Sequence, residues 1–109
     1  MTPRTFWIAS IESPTMLMVR LSGELDMAGA EEVRRFVDAS MTKSYPSIRF
    51  DCRGVTFIDS IGVKALLHLA QRCAEMGVEA EFHMSPRIER VLSAMGVGSL
   101  GDLAVTLAV

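Results

Sequence analysis

Cysteine, histidine and aromatic residues are scarce in this chain: 109 residues include two cysteines, two histidines, one tryptophan, one tyrosine and five phenylalanines. Cys52 and Cys73 are too few for a disulfide framework. A zinc site needs at least three close nitrogen or sulfur ligands. No C-x-x-C or H-x-x-x-H spacing links Cys52, Cys73, His68 and His83, so neither a metal nor any other cofactor is expected. Charge of one sign is also missing. Eleven Lys and Arg stand against thirteen Asp and Glu, a net charge of -2, and the basic residues are scattered, which argues against nucleic acid. No apolar run approaches the roughly 20 residues that cross a bilayer. The first apolar stretch, Trp7 to Ile11, is interrupted by Glu12 too soon for a signal peptide. A cytoplasmic protein that inserts into no membrane is expected.

What remains is 50% hydrophobic residues, enough for one core without staples. Phe6 to Ile11 and Met16 to Leu21 read as strands joined by a turn at Glu12-Ser13-Pro14-Thr15. Ser22-Gly23-Glu24-Leu25-Asp26 reads as a break, with Asp26 placed to cap a helix. That helix carries Ala30, Val33, Val37 and Met41 as an apolar stripe widened by Phe36. Ser47 to Cys52 reads as a third strand, and Arg53-Gly54 as a turn into Val55 to Ile58. A second helix begins at Ser60, with Val63, Leu66, Leu67, Ala70, Cys73 and Ala74 inward and Lys64, Gln71, Arg72 and Glu75 outward, and Gly77 ends it. Val78 to Met84 is a fourth strand. Ser85-Pro86 opens a third helix, with Ile88, Val91, Leu92 and Met95 as its stripe and Gly96 as its stop. The tail from Leu100 to Val109 fits a strand or a short helix equally. Alternating strands and helices without a linker or repeat predict an α/β fold.

Two motifs suggest chemistry that their surroundings deny. Gly96-Val97-Gly98-Ser99-Leu100-Gly101 matches G-x-G-x-x-G, but it follows a helix instead of a strand and no acid lies about 20 residues on. Helix termination accounts for its glycines. Asp59-Ser60-Ile61-Gly62 lacks the first glycine of a nucleophile elbow, since Ile58 stands there. As a base, His68 is two turns along the same helix, about 12 Å away, and His83 has no evident orienting acid. What the junction offers Ser60 instead is exposure, unpaired amide hydrogens and the positive end of a helix dipole. A plain N-cap serine and a phosphate carrier both fit that position.

Three segments taken together, Leu21-Ser22-Gly23-Glu24-Leu25-Asp26, Phe57-Ile58-Asp59-Ser60-Ile61-Gly62-Val63 and Ser85-Pro86-Arg87-Ile88, resemble the bacterial STAS domain, and within it the single-domain anti-sigma-factor antagonists. The likeness runs from about Phe6 to Val97, so residues 1–109 read as one domain with a core over 6–97 and a short tail over 98–109. The resemblance implies a mixed, mainly parallel sheet of four to five strands flanked by amphipathic helices. It also implies that Ser60 is the phosphoacceptor, Asp59 its flanking acid, Asp26 the loop acid near the partner surface and Gly62 the small residue of the first turn. Ile61, off the buried stripe, would offer the partner an apolar contact, with Lys64 one turn along. The implied partners are a kinase-type anti-sigma factor of the GHKL class, bound while Ser60 is unmodified, and a PPM-type serine phosphatase that restores that state. Ile61 stands where many relatives carry a second serine or threonine, so no second phosphoacceptor is expected. The alternative within the family is an accessory subunit of a stressosome or of a lipid or anion transporter. Self-repelling edges and the modest net charge make a monomer the expectation.

Overall fold

Local pairing comes first along the chain. Strand β1 (Phe6–Glu12) turns through Ser13-Pro14-Thr15 into β2 (Met16–Leu25), and the two pair antiparallel from Phe6 opposite Gly23 to Glu12 opposite Leu17. Ser13 closes this turn: its N–H donates to Met16 O at 2.9 Å and its Oγ accepts from Met16 N at 3.2 Å. Helix α1 (Met27–Ser40) then leads to β3 (Ser47–Ile58), α2 (Ser60–Glu75) to β4 (Glu79–His83), and α3 (Pro86–Ala94) follows. This computed structural model describes residues 4–41 and 45–97; the tail beyond Val97, including Gly98 and Gly101 of the glycine motif, lies outside the described residues.

Among the described residues four strands lie in the order β1-β2-β3-β4, with β2–β3 and β3–β4 parallel. The mixed, mainly parallel sheet expected of the fold is therefore present. Both parallel connections advance in the same direction across the sheet, and right-handed crossovers then place α1 and α2 on the same face, where they touch each other. Between sheet and helices lie Val19, Leu21, Leu25, Phe50 and Cys52 from the strands and Val33, Leu66, Leu69 and Cys73 from the helices, all essentially out of water. Phe50 and Phe82 stack on adjacent strands with ring centroids 4.8 Å apart, a cross-strand aromatic pair of the kind that adds to simple burial. Burial pushes the thiols of Cys52 and Cys73 up, to about 12 and about 11, and for Cys52 the neighbouring Asp51 charge adds to it.

Three local expectations need correcting. Ser22-Gly23-Glu24-Leu25 does not break β2, because Gly23 adopts φ +95 and lets the strand continue. A Cβ there would stand 2.1 Å from the Thr5 carbonyl oxygen. Arg53-Gly54 is not a turn but part of β3, where two register shifts against β2 accommodate the two extra residues as bulges. Met95 does not belong to the inner stripe of α3; it is exposed, while Ile88 and Leu92 are buried. The capping expectations hold: Ser85 Oγ accepts from Ile88 N at 3.3 Å with Pro86 opening α3, and Gly77 follows α2 at φ +68.

On the face away from α1 and α2, Asp51 is a buried acid. Arg53 grips it with two contacts, Nε to Oδ1 at 2.9 Å and Nη2 to Oδ2 at 3.1 Å, while Arg20 Nε lies 3.6 Å from Oδ2. The hydrogen bond from Arg53, helped by both arginine charges, holds the carboxyl down at about 2.

Candidate functional site

The site forms because two strands end together. Leu25 and Ile58 are paired in the β2–β3 ladder, so the next residues, Asp26 and Asp59, emerge side by side at the carboxyl end of adjacent parallel strands, where open α/β sheets place their functional groups. Both acids do the same work. Asp26 Oδ1 accepts from Gly29 N at 3.1 Å and caps α1; Asp59 Oδ1 accepts from Gly62 N at 2.8 Å and caps α2. The sequence shows the repeat once it is sought: Leu25-Asp26-Met27-Ala28-Gly29 aligns with Ile58-Asp59-Ser60-Ile61-Gly62. Each carboxylate satisfies an amide that the helix itself leaves unpaired and faces the positive end of the dipole.

Ser60 is therefore not the N-cap that its side chain alone suggested. It is the first residue of α2, exposed, and the capping oxygen belongs to Asp59. Serine is drawn to N-caps because its oxygen competes for backbone amides; here aspartate holds that role one residue earlier. Gly62 explains how closely the two helix starts are pressed together. A Cβ at Gly62 would lie 2.1 Å from the Leu25 carbonyl oxygen, so only glycine lets the first turn of α2 rest on the end of β2. Gly29 sits against Glu24 O and the Phe6 ring in the same way, though less tightly.

Beyond the caps, α1 and α2 leave a shallow groove of about 290 Å³ between them, with Met27, Ala30 and Val33 on one wall and Ile61, Ala65 and His68 on the other. Lys64, Glu31 and Arg34 stand at its rim. Glu31 and Arg34 pair at 2.7 Å, and that hydrogen bond draws the Glu31 carboxyl below its ordinary range. Ile61 is 42% exposed and Met27 67% exposed, large apolar side chains left in water beside Ser60. The structure thus brings together all six residues singled out from the sequence: Asp26, Asp59, Ser60 and Gly62 at the helix starts, Ile61 and Lys64 along the groove. Sequence reasoning missed Met27 and His68 there. Met27 was nonetheless signalled, because it follows its capping aspartate as Ser60 follows Asp59. His68 is exposed two turns along α2, and among the described residues no cluster of His, Cys, Asp and Glu suits a metal ion.

The family model for the STAS domain matches residues 8–108, and the chain belongs to that family. Among solved structures it is similar to an anti-sigma factor antagonist from Mycobacterium paratuberculosis, at 25% identity and a TM-score of 0.67, covering 98% of this chain and 97% of that one. It is also similar to the Bacillus cell fate determinant SpoIIAA in its phosphorylated form, at 22% identity and a TM-score of 0.63 over 85% of each chain. An antisigma-factor antagonist STAS domain from Rhodobacter sphaeroides shares 18% identity with a TM-score of 0.63, covering 72% of this chain and 86% of that one. Among the described residues no helix is long and apolar enough to cross a membrane.

Proposed function

We propose that this chain is an anti-sigma-factor antagonist that exchanges partners according to the state of Ser60. With the hydroxyl free it binds a kinase-type anti-sigma factor of the GHKL class. That kinase transfers the γ-phosphoryl group of ATP to Ser60 Oγ, the hydroxyl proton is lost and ADP leaves. The phosphorylated form is released, and a PPM-type serine phosphatase hydrolyses the ester to restore it. The chain acts by binding and performs no catalysis of its own.

The observation that carries this reading is the exposure of Ser60 at the first position of α2, with Asp59 doing the capping. A modified hydroxyl there costs the helix no cap, whereas loss of a serine cap costs about 0.5–2 kcal/mol. Family membership and the antagonists among its structural relatives support the same reading. A phosphate brings about -1.5 to -2 charge. The α2 dipole favours it by roughly 0.3–2 kcal/mol, and the neighbouring Asp59 and Asp26 carboxylates oppose it. The local terms largely cancel, so the fold is little affected. In a partner interface built on Met27, Ile61 and Ser60 the same dianion is desolvated beside apolar side chains, and each 1.4 kcal/mol of that cost is tenfold in affinity.

Incubation with the candidate kinase and ATP, followed by peptide mass spectrometry, should place one phosphate on Ser60. Ser60→Ala should bind the kinase constitutively, and Ser60→Asp at least about tenfold more weakly. Equal affinity of the two variants would refute the switch.

A further inference from the structure

Among the described residues strand β1 is an edge of the sheet, and its hydrogen-bonding parity can be read from its two ends. Glu24 N donates to Thr5 O at 2.8 Å and Ser13 N donates to Met16 O at 2.9 Å. In an antiparallel ladder these bonds join every second pair, so Thr5, Trp7, Ala9 and Ile11 turn their backbone toward β2. Phe6, Ile8, Ser10 and Glu12 then turn theirs outward. The Arg4 guanidinium, which donates from Nε to Phe6 O at 2.8 Å, uses one of these outward carbonyls.

Natural edges are blunted by charge, proline or brevity. The opposite edge, β4, is: it has five residues, with Glu79, Glu81 and His83 among them. Strand β1 is not. Its seven residues, Phe-Trp-Ile-Ala-Ser-Ile-Glu, hold no proline and no charge before Glu12. Its odd-numbered side chains lie on the face away from α1, since Phe6 packs by Gly29 on the other. There Trp7 is 51% and Ile11 74% exposed, with Ala9 between them.

We infer that β1 pairs antiparallel with β1 of a second copy of this chain, Ala9 opposite Ala9 on a two-fold axis normal to the sheet. The outward groups permit only registers that shift by two residues, and this one alone places Trp7 opposite Ile11, and Ile11 opposite Trp7, in non-hydrogen-bonded pairs, where side chains approach most closely. Centring on Ile8 sets Ile11 against Thr5; centring on Ser10 sets Trp7 against Ser13. In the favoured register Ile8 and Ser10 exchange backbone hydrogen bonds across the axis; at both ends Arg4 of one copy, paired within its own chain with Glu32, lies diagonal to Glu12 of the other, which accepts from its own Tyr45 hydroxyl, so the charges that face each other there are of opposite sign. The smallest side chain sits where the two copies come closest. The axis continues the sheet with the helices of both copies on one face. It leaves the two β3 strands about 24 Å apart across the sheet, five strand spacings, with the two Ser60 ends pointing in opposite directions. The pairing is independent of any role for Ser60, and it departs from the monomer expected of repelling edges because this edge carries no repelling charge.

The test is register-specific. Two cysteines opposite each other in a non-hydrogen-bonded pair have Cα atoms roughly 4.5 Å apart, inside the range a disulfide spans. Ala9→Cys, treated with oxidised glutathione, should form a disulfide-linked dimer on a non-reducing gel on the order of tenfold faster than Ser10→Cys, which is off the axis. Buried Cys52 and Cys73 stay out of the reaction. Light scattering on the native chain should show a mass rising from 11.9 kDa to twice that across a concentration series. Trp7→Lys and Ile11→Lys, both at exposed positions, should each weaken the dimer by about tenfold or more while leaving the circular-dichroism melt in place. Ser10→Pro should do the same by removing an outward donor. A mass of one chain throughout the series, equal cross-linking of Ala9→Cys and Ser10→Cys, or a dimer indifferent to all three edge substitutions would each overturn the inference.

Discussion

Replacing Gly62 with alanine sets two known effects against each other. An ordinary helical glycine, when changed to alanine, stabilises a helix by roughly 1 kcal/mol, and Gly62 is an ordinary helical residue without positive φ. Its surroundings reverse the sign. The new methyl carbon would lie 2.1 Å from Leu25 O, 2.9 Å from Ile58 Cγ1 and 3.0 Å from Leu25 Cγ. Carbon contacts relax at about 3.5 Å or more, so the first turn of α2 must lift from β2 by more than about 1 Å. Leu25 O is backbone at the end of a central strand and cannot rotate aside. Overpacking of this kind costs about 1–3 kcal/mol and sometimes more, and the lift also stretches the 2.8 Å cap from Asp59 to Gly62 N. Net of the helix gain, the loss should be about 1–3 kcal/mol, and 1 kcal/mol moves the melting temperature of a domain this size by roughly 4–8 °C. Gly29→Ala is the internal comparison. Its nearest contacts are 2.9 Å to Glu24 O and 3.1 Å to Phe6 Cγ, so its loss should be smaller. Thermal and urea denaturation of both variants measure the difference. A Gly62→Ala protein that melts at or above the unsubstituted chain, or a Gly29→Ala protein hit harder, would refute the reasoning.

Asp26→Asn and Asp59→Asn retain a capping oxygen and should leave stability nearly unchanged, whereas the corresponding alanine variants should each lose about 0.5–2 kcal/mol by denaturant titration; in kinase binding the Asn variants isolate the charge from the cap, and Asp26→Asn should impair docking more than folding. Because Asp51 titrates at about 2 when folded against 3.8 ordinarily, the unfolded chain binds the proton first, so its contribution is complete above about pH 5 and is lost as the pH falls toward 2. Arg53→Ala should flatten that acid limb in a melting-temperature series against pH, and an unchanged limb would assign it to other groups. Cys52 and Cys73 should resist a thiol reagent at pH 8 in the folded protein and both react on unfolding, since burial holds both thiols well above that pH.

Much of this architecture was legible because periodicity reports burial. Val33 and Val37, Leu66, Ala70 and Cys73, Ile88 and Leu92 follow helical spacing and are buried, and Ser85-Pro86 announced α3. What failed was local punctuation inside the sheet. Gly23 and Gly54 read as breaks, since glycine most often marks turns; here each makes room for a neighbouring strand, against Thr5 O and Ser22 Cβ respectively, which is a tertiary fact. The same limit applied at the site. Ser60, Asp59 and Asp26 were identified, but that Asp59 takes the cap and frees Ser60 depends on where α2 begins, a matter of one residue. The pairing of Leu25 with Ile58, which makes neighbours of two acids 33 positions apart, is carried by no local pattern at all.

The twin aspartate caps bear on how readily a group attached to Ser60 can be taken off again. Each helix start already has its own permanent anion, built into the chain, so an incoming one finds the local field partly offset. On the proposed reading, a phosphate there would stay turned toward water and open to hydrolysis, a reversible record instead of a terminal state.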